Sequence, residues 1–318
     1  MTLLLSETQV ESLLDMRDVV GAVEEAFRRQ GNGEASNFMR TRSHGKGTVL
    51  NVMHASLPYL DRAGLKCYLS SPTGTRFMIV LFEASSATPL AIMGADFLGR
   101  FRTGAASGVA TKHLYRGRSA EIAVFGSGRQ ALTQVMALGT VLSLEKVSVW
   151  SPDRSRRNAF TARLSSLGFN AVAAETPKEA AAAANVASTI TSSAQPFLDA
   201  VDVKSVSHIN VCGGNQPGHS ELTAQAIGSF RTVVVDDLSQ ARLEYGDLIN
   251  AASACEFAWE HAVSLGAVVA GKRAAEGRTL FKSGGVAIED VAVASLVYEE
   301  AIRKGNVGAA EFRFADRT

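Results

Sequence analysis

The chain has 318 residues, of which 46% are hydrophobic and 20% are charged, and its 32 basic and 31 acidic side chains leave a formal charge of +1. This length is enough for two domains, and the apolar content is typical of a globular protein rather than a disordered one. The near-zero charge argues against nucleic acid or an anionic membrane surface as partner and favours a small molecule.

Targeting and metal signals are absent from the sequence. The N-terminus has no basic segment before its short apolar run, and no apolar stretch reaches the roughly 18 residues that span a bilayer. Cys67, Cys212 and Cys255 lie far apart, without the Cys or His spacing of a zinc or iron–sulfur site. We therefore expect a cytoplasmic protein with reduced thiols and no metal.

In chain order, the pattern changes from α+β to alternating β and α. The pattern predicts a helix over residues 6–30, ended by the glycines near residue 33, and several antiparallel strands over residues 48–93. It also predicts a helix over residues 103–114, whose many Ala and Gly residues indicate close packing on backbone or on a ligand. From residue 120 the predicted elements are strand 121–126, helix 130–143, strand 146–151, helix 154–166, strand 171–174, helix 177–184 and strands 186–191, 208–213 and 232–237. This order predicts an α/β fold with two domains. Residues 116–290 are predicted to form a doubly wound parallel sheet of Rossmann type, and residues 1–115 a smaller α+β domain. The last helix, at about 289–304, is predicted to return to the smaller domain, which residues 291–318 complete.

A glycine-rich loop follows the first strand of the second region and opens its first helix. Gly126, Gly128 and Ala131 are small where a dinucleotide site needs a tight turn, close approach of the pyrophosphate and close helix–strand packing. The helix N-terminus also offers N–H donors to phosphate groups. We predict that NAD(P) binds at residues in and near this loop: Gly126, Ser127, Gly128, Arg129, Gln130, Ser151, Arg154 and Thr191.

The end of the second strand bears on the choice between NAD and NADP. A carboxylate there binds the ribose 2′-hydroxyl, whereas a 2′-phosphate favours a cation. The strand runs into Ser151, and three arginines follow, Arg154, Arg156 and Arg157. The pattern favours NADPH over NADH, although the arginines could also be solvated charges on the next helix and Asp153 could still reach a ribose.

Five segments together resemble the ornithine cyclodeaminase and mu-crystallin family, which also includes alanine dehydrogenases and cyclic ketimine reductases. They are residues 102–106, 126–131, 187–191, 208–218 and 281–290. The resemblance extends over most of the chain. It implies that residues 1–115 bind the substrate and form a homodimer through their sheet.

The resemblance also implies a substrate site. Family members hold a small α-amino or α-imino acid with two arginines and a lysine, and the matching positions are Arg40, Lys66 and Arg102. Arginine offers a rigid bidentate fork to a carboxylate, and lysine a movable charge that can donate a proton. Arg42 is an equally near candidate for the first arginine.

Two positions depart from the cyclodeaminase pattern. Asn215 stands where those enzymes carry an aspartate used in acid/base and ring-closing chemistry, and Asn51 stands in place of a glutamate. Asn215 can orient water or substrate at the catalytic site, but an amide is not a general base. Both departures favour reduction of a preformed cyclic imine.

Five other residues are candidates for a role at or near the site. His54 is titratable and could lie near the substrate cleft, or it could cap a strand or turn. Asp236 and Asp237 end a strand at the ligand edge of the sheet, where we predict that they cap loops. Lys282 and Ser283 could contact the nicotinamide or substrate, or could hold a loop.

We therefore predict an NAD(P)H-dependent reductase of a small cyclic ketimine carboxylate, such as pyrroline-2-carboxylate or piperideine-2-carboxylate. Two alternatives stay open. One is an ornithine cyclodeaminase or alanine dehydrogenase type of amino-acid oxidoreductase, and the other is an NADPH-dependent small-ligand binding protein of mu-crystallin type.

Overall fold

The computed structural model describes residues 2–305 and 310–312, which fold into two compact units. The first unit consists of the residues up to Arg102 together with those from Gly285 onward, and the second is Thr103–Gly284. The sequence placed these boundaries later, at 115/116 and 290/291. The first boundary lies earlier because the helix predicted from Thr103 begins at Asp96, and its part from Thr103 onward belongs to the second unit, within which it packs on Thr133 and Ala137.

The described residues form the following strands and helices. The strands are β1 (Thr2–Leu5), β2 (Ser36–Asn37), β3 (Thr41–Gly45), β4 (Thr48–Leu57), β5 (Arg62–Ser71), β6 (Gly74–Glu83), β7 (Pro89–Gly94), β8 (Ser119–Phe125), β9 (Ser143–Trp150), β10 (Ala171–Ala173), β11 (Val186–Thr189), β12 (His208–Val211), β13 (Thr232–Val235), β14 (Ala262–Ser264), β15 (Thr279–Lys282) and β16 (Ala310–Phe312). The helices are α1 (Glu7–Ser12), α2 (Met16–Asn32), α3 (Asp96–Leu114), α4 (Ala131–Val141), α5 (Arg154–Ser166), α6 (Pro177–Ala181), α7 (Ala224–Gly228), α8 (Leu238–Glu244), α9 (Gly246–Ser253), α10 (Leu265–Val269) and α11 (Ala287–Arg303).

The first unit is built on a mixed sheet. Its strand order is β16-β1-β7-β6-β5-β4-β2, with β3 also paired to β4. The neighbours from β7 to β4 are antiparallel, which confirms the strands predicted over residues 48–93, whereas β1 joins β7 in parallel. Helix α11 packs across β4, β5 and β6 and against α2.

The N-terminal helix predicted over residues 6–30 is two helices. The break lies before Asp15, whose side chain accepts hydrogen bonds from the N–H groups of Arg17 and Asp18 and so starts α2. Gly33, with a φ of 81°, ends α2 in the left-handed conformation that glycine adopts without strain. The predicted helix end is therefore confirmed, and the continuous helix is not.

The second unit is a doubly wound parallel sheet, as predicted. Its strand order is β10-β9-β8-β11-β12-β15-β13-β14, and each neighbouring pair is parallel. One core cluster lies beneath α4 and α5, and another beneath α6, α7 and α9, so helices cover both faces. β14 and β15 and helices α7 to α10 were not predicted.

Close packing on α4 explains the glycines in the later part of α3. An added Cβ on Gly104 would lie 2.3 Å from the carbonyl oxygen of Thr133, and one on Gly108 would lie 3.1 Å from that of Ala137. Both partners belong to α4. The close packing predicted for this helix is therefore against backbone.

Two general features complete the description. The three cysteines are free thiols, as expected. Within residues 2–305 and 310–312, no helix combines the length and the apolar character needed to cross a membrane.

Candidate functional site

A cavity of about 450 Å³ lies where β8, β9 and β11 end in the second unit. We call it the glycine-loop cavity, and its lining residues are Gly126, Ser127, Gly128, Trp150, Ser151, Pro152, Asp153, Arg156, Ile190, Thr191, Ser192, Ser193 and Phe197. The strand order reverses at β8, since β9 lies on one side of it and β11 on the other. Ligands of such sheets bind at this switch point, outside the carboxyl ends of the strands.

The glycines of the cavity fit a dinucleotide phosphate. Gly126 has a φ of 116°, and an added Cβ would lie 2.7 Å from the carbonyl oxygen of Ile190, so this turn requires glycine. A Cβ on Gly128 would meet nothing within 4 Å, which leaves the backbone open to a phosphate. Helix α4 begins at Ala131, so its N-terminus offers N–H donors beside the loop.

An aromatic pair forms another part of the cavity wall. The rings of Trp150 and Phe197 stack with centroids 5.2 Å apart and an interplanar angle of 28°. Such a flat apolar surface suits a planar base. Neither residue was predicted from the sequence, because their stacking depends on the loop after β11 folding against the end of β9.

The residues after β9 have separate roles. Ser151 is buried and accepts a hydrogen bond of 3.0 Å from the Ser127 hydroxyl. Asp153 lines the cavity and caps α5 by accepting from the N–H of Arg156. Arg157 is buried, and it donates to the carbonyl oxygen of Ser151 and to Glu175. Arg157 is therefore structural, and the solvated-charge reading does not apply to it.

Five of the eight residues predicted for the cofactor line the cavity. They are Gly126, Ser127, Gly128, Ser151 and Thr191. The other three, Arg129, Gln130 and Arg154, are exposed and do not line it. The arginine at the cavity is instead Arg156.

The first unit brings together the three predicted substrate cations and two carboxylates. We call Arg40, Lys66, Arg102, Glu289 and Asp290 the charge cluster, and all five are buried. Asp290 Oδ1 lies 3.0 Å from both Lys66 Nζ and Arg102 Nε, and Arg102 Nη1 lies 2.8 Å from Glu289 Oε2. Arg40 donates through Nη2 to the carbonyl oxygen of Gly285 at 3.3 Å. Among the described residues, the cluster therefore combines three cationic side chains with two carboxylates.

Lys66 has an altered proton affinity. Burial lowers the pKa of its ammonium to about 8, and the nearby charges of Arg102 and Arg40 act in the same direction. Asp290 opposes this shift. An amine with such a pKa is still mostly protonated at neutral pH and gives up its proton far more readily than an exposed lysine.

Glu289 and Asp290 were not predicted as site residues, although their segment carried part of the family resemblance. They lie in the first turn of α11, where the helix dipole favours carboxylates. This acidic first turn was the available signal. That the two side chains would meet cations of β5 and α3 is set by tertiary packing.

Arg40, Arg42 and His54 differ in burial and in the face of the sheet on which they lie. Arg40 is buried whereas Arg42 is only half-buried. Met53 pairs across the strands with Lys66, so the two share a face, whereas His54 is exposed on the opposite face and stacks on Phe38 with centroids 4.5 Å apart. The interpretation of His54 as a site residue is therefore not supported.

The remaining candidates belong to the second unit. Asn215 is half-buried in the loop after β12. Asp237 caps α8, and Asp236 accepts from Ser283 and the N–H of Gly284, which confirms their predicted capping roles. Lys282 is wholly buried at the end of β15 and donates to the carbonyl oxygen of Gly213 at 2.7 Å, so it holds a loop.

Gly285 supports the charge cluster and allows a direct test. Its φ is 79°, and an added Cβ would lie 2.3 Å from Arg102 Nη1. Gly285→Ala is expected to lower stability by about 2 kcal/mol or more and to raise the KM of the substrate, because it adds the contact with Arg102 to the strain of a left-handed alanine.

The matched control is Gly305, which has a φ of 75° and open space around an added Cβ. Gly305→Ala is expected to cost about 1 kcal/mol through backbone strain alone and to leave KM unchanged. Urea unfolding and steady-state kinetics check both variants. Equal effects on KM would show that Gly285 does not position Arg102.

Comparison with known proteins gives a family match over residues 1–305, to the family described as ornithine cyclodeaminase/mu-crystallin. Among curated relatives, an alanine dehydrogenase of Archaeoglobus fulgidus is 34% identical over 321 residues, with 97% of each chain covered.

Two solved structures have the same fold over nearly the whole chain. The Thermococcus litoralis Delta(1)-pyrroline-2-carboxylate reductase, in complex with NADH and L-proline, has a TM-score of 0.90 and 30% identity, covering 98% of this chain and 100% of that one. An archaeal alanine dehydrogenase dimer with bound NAD has a TM-score of 0.88 and 32% identity, covering 98% and 99%.

Proposed function

The chain belongs to the ornithine cyclodeaminase/mu-crystallin family, and we propose that within it the protein reduces a small cyclic ketimine carboxylate such as pyrroline-2-carboxylate or piperideine-2-carboxylate. The resemblance stated from the five sequence segments is confirmed by the family match. The class of enzyme, an NAD(P)-dependent oxidoreductase, is confirmed with it.

The pair of buried guanidinium groups in the charge cluster is the observation that carries this proposal. Arg40 and Arg102 can bind a carboxylate with directional hydrogen bonds, and Lys66 lies beside Arg102 through their shared partner Asp290. A small carboxylate is therefore the ligand class that the cluster fits.

In the proposed reaction, the cofactor supplies the hydride and the protein supplies the proton. When bound, the reduced nicotinamide supplies the hydride that the imine carbon accepts. Lys66 donates a proton to the imine nitrogen, so that the C=N bond becomes a CH–NH bond, and the neutral amine then regains a proton from solvent. Asp290 fixes the ammonium through the 3.0 Å contact.

Cyclodeamination fits these residues less well. By the family resemblance it uses carboxylates at positions that are Asn215 and Asn51 here. Neither amide takes up a proton as a general base. Imine reduction needs only a carboxylate clamp, a hydride and a proton donor, all of which the proposal assigns.

An alanine dehydrogenase activity is the second candidate. The A. fulgidus relative at 34% identity favours it. Its substrate in the reductive direction, pyruvate with ammonium, is also a monocarboxylate, so the same cluster would hold it. The two candidates differ in whether free ammonium is required.

A kinetic panel separates the candidates. Oxidation of NADPH and NADH would be followed with pyrroline-2-carboxylate, with piperideine-2-carboxylate, with pyruvate plus ammonium, and in the reverse direction with ornithine. We expect turnover with the cyclic imines in the absence of ammonium. Turnover only with pyruvate and ammonium would select the second candidate, and dinucleotide binding without turnover of any substrate would indicate a binding protein of mu-crystallin type.

NADPH is the proposed reductant, with NADH as the alternative. A hydroxyl, Ser151, stands at the usual carboxylate position, and Arg156 lines the cavity, which supports a 2′-phosphate. Asp153 at the same cavity and the NADH and NAD of the two solved relatives support the alternative.

Arg156→Ala tests this preference. It is expected to raise the KM for NADPH about tenfold and to leave that for NADH unchanged, because only the 2′-phosphate would need the guanidinium. Arg154→Ala, two residues away and exposed outside the cavity, is the control and should change neither KM. An unchanged ratio of the two KM values in Arg156→Ala would contradict the proposal.

A homodimer is the proposed assembly. The archaeal alanine dehydrogenase of similar fold is a dimer, which supports this proposal. By the family resemblance, the interface would use the sheet of the first unit. Sedimentation of the purified protein tests this directly.

A further inference from the structure

A buried network of three ionisable residues lies in the second unit, outside the cavity lining. Glu221, Asp247 and Lys282 are each 2% exposed or less. Lys282 Nζ lies 2.9 Å from Asp247 Oδ2, and Asp247 Oδ1 accepts from the N–H groups of Glu221 and Leu222 at 2.7 and 3.0 Å. Neither the sequence analysis nor the proposed chemistry assigns a task to Glu221 or Asp247.

Glu221 joins the loops that follow two neighbouring strands. Its Oε2 accepts from the hydroxyl of Thr189 at 2.6 Å and from the N–H of Gly213 at 2.8 Å. Its Oε1 accepts from both the N–H and the hydroxyl of Thr191, at 2.8 and 2.7 Å. Thr191 follows β11 and Gly213 follows β12, so one carboxylate fixes both loops.

The two loops approach so closely that position 213 has no room for a side chain. An added Cβ on Gly213 would lie 2.4 Å from the carbonyl oxygen of Thr191 and 2.3 Å from Glu221 Oε1. Lys282 holds the same turn from its other side, through the carbonyl oxygens of Gly213 at 2.7 Å and Gly214 at 3.4 Å.

The charges of the network support one another. Burial raises the pKa of Glu221, and the Lys282 charge opposes that rise. Burial also works against the Lys282 ammonium, but Asp247 and Glu221 together raise the pKa of Lys282 above its ordinary value. Removing Lys282 would therefore leave two buried carboxyl groups without the cation that stabilises their charged forms.

We infer that Glu221, Asp247 and Lys282 are positioning residues that lock the loops after β11 and β12 together and so fix the wall of the glycine-loop cavity that carries Thr191. This inference rests on the proposed binding of NAD(P)H at that cavity. The side chains of the network act through Thr191 and the Gly213–Gly214 turn. The carbonyl oxygen of Glu221 also accepts from the N–H of Phe197 at 3.0 Å, so the network contacts the aromatic pair through its backbone.

Two substitutions break the network differently. In Glu221→Gln, the amide nitrogen must face a backbone N–H, either that of Thr191 or that of Gly213, and two donors repel unless a loop moves. Lys282→Met removes the cation and leaves two buried carboxylates. Either change is expected to raise the Kd of NADPH or NADH on the order of tenfold.

Arg278, at the opposite end of β15 from Lys282, provides a matched control. It precedes β15, whereas Lys282 ends it, and it likewise donates to backbone carbonyl oxygens, those of Val206 at 2.8 Å and Ser229 at 3.2 Å. None of these residues lines the cavity. Arg278→Met is expected to lower Tm while leaving the Kd of the dinucleotide within about twofold of wild type.

Titration of NADPH and NADH, followed by protein fluorescence, together with Tm for each variant, tests the inference. A wild-type Kd in Glu221→Gln and Lys282→Met, with only Tm lowered as in Arg278→Met, would overturn it and leave the proposed function intact. A wild-type protein that binds neither dinucleotide would overturn both. If Glu221→Gln fails to fold, Asp247→Asn, which places an amide against the Lys282 ammonium, is expected to show the same rise in Kd.

Discussion

Replacing Lys66 with methionine is expected to lower kcat for imine reduction by about 10²- to 10⁴-fold, the usual contribution of a positioned proton donor. Methionine has nearly the length of the lysine stem and carries no proton to give. Arg40 and Arg102 remain in Lys66→Met, so the KM of the imine carboxylate should change much less than kcat. Steady-state kinetics with the cyclic imine would measure both.

The same substitution is expected to leave stability unchanged or higher. Folding lowers the pKa of Lys66 from 10.5 to about 8, which corresponds to roughly 3 kcal/mol spent at neutral pH on keeping the buried group charged. Methionine removes this cost, and Asp290 keeps its contact with Arg102. A fall in kcat together with a large fall in the free energy of unfolding would indicate structural damage instead of a lost proton donor.

The pH dependence follows from the same group. The proton donor is the ammonium form, which is present below a pKa of about 8 and is lost as the pH rises through it. Activity should therefore fall above about pH 8, and this decline should be absent from the residual activity of Lys66→Met. Stability of the wild type should move the other way, rising between about pH 8 and 10.5, because the unfolded chain binds the proton more tightly there.

Replacing Arg102 with leucine is expected to cost about 3–5 kcal/mol of stability and to raise the KM of the substrate strongly. Arg102 contacts both buried carboxylates, Glu289 at 2.8 Å and Asp290 at 3.0 Å. Its removal breaks two buried ion pairs at once while the carboxylates stay buried, which is the source of this cost.

The matched control is Arg62→Leu in the same unit. Arg62 pairs with Glu299 at 2.6 Å, but that glutamate is 59% exposed and remains hydrated when its partner is removed. Its loss is expected to cost about 1 kcal/mol or less. Urea unfolding of the two variants would show the contrast, and equal losses would contradict the compensating role of Arg102.

Local sequence patterns predicted the strands β8 to β13 of the second unit and the helices α4 to α6, but not β14, β15 or helices α7 to α10. Helix α5 was predicted at 154–166 and is observed at those residues, because Asp153 caps its start. The glycine loop was predicted from its small residues together with the strand before it and the helix after it, which are local signals, although the close approach of Ile190 to Gly126 comes from tertiary packing. In contrast, β1 and β16 pair with strands far away in the chain, and no local pattern reports such partners.

The candidate site was only partly predictable, for a related reason. Residue type and resemblance selected Arg40, Lys66 and Arg102, and the structure brings these three together with Glu289 and Asp290. The roles of the carboxylates depend on which cations α11 meets when it packs on the sheet. Strand alternation, by contrast, already placed His54 on the face opposite its buried neighbour Met53, and that signal could have been used.

The most direct test of imine reduction follows the transferred hydrogen. The purified protein would be given pyrroline-2-carboxylate and reduced nicotinamide cofactor carrying deuterium at C4 of the transferable face, with no ammonium present, and the products would be examined by mass spectrometry and NMR. We predict proline with deuterium at Cα, formed in equal amount to the oxidised cofactor. Absence of proline, or proline without deuterium from either face of the cofactor, would contradict the account.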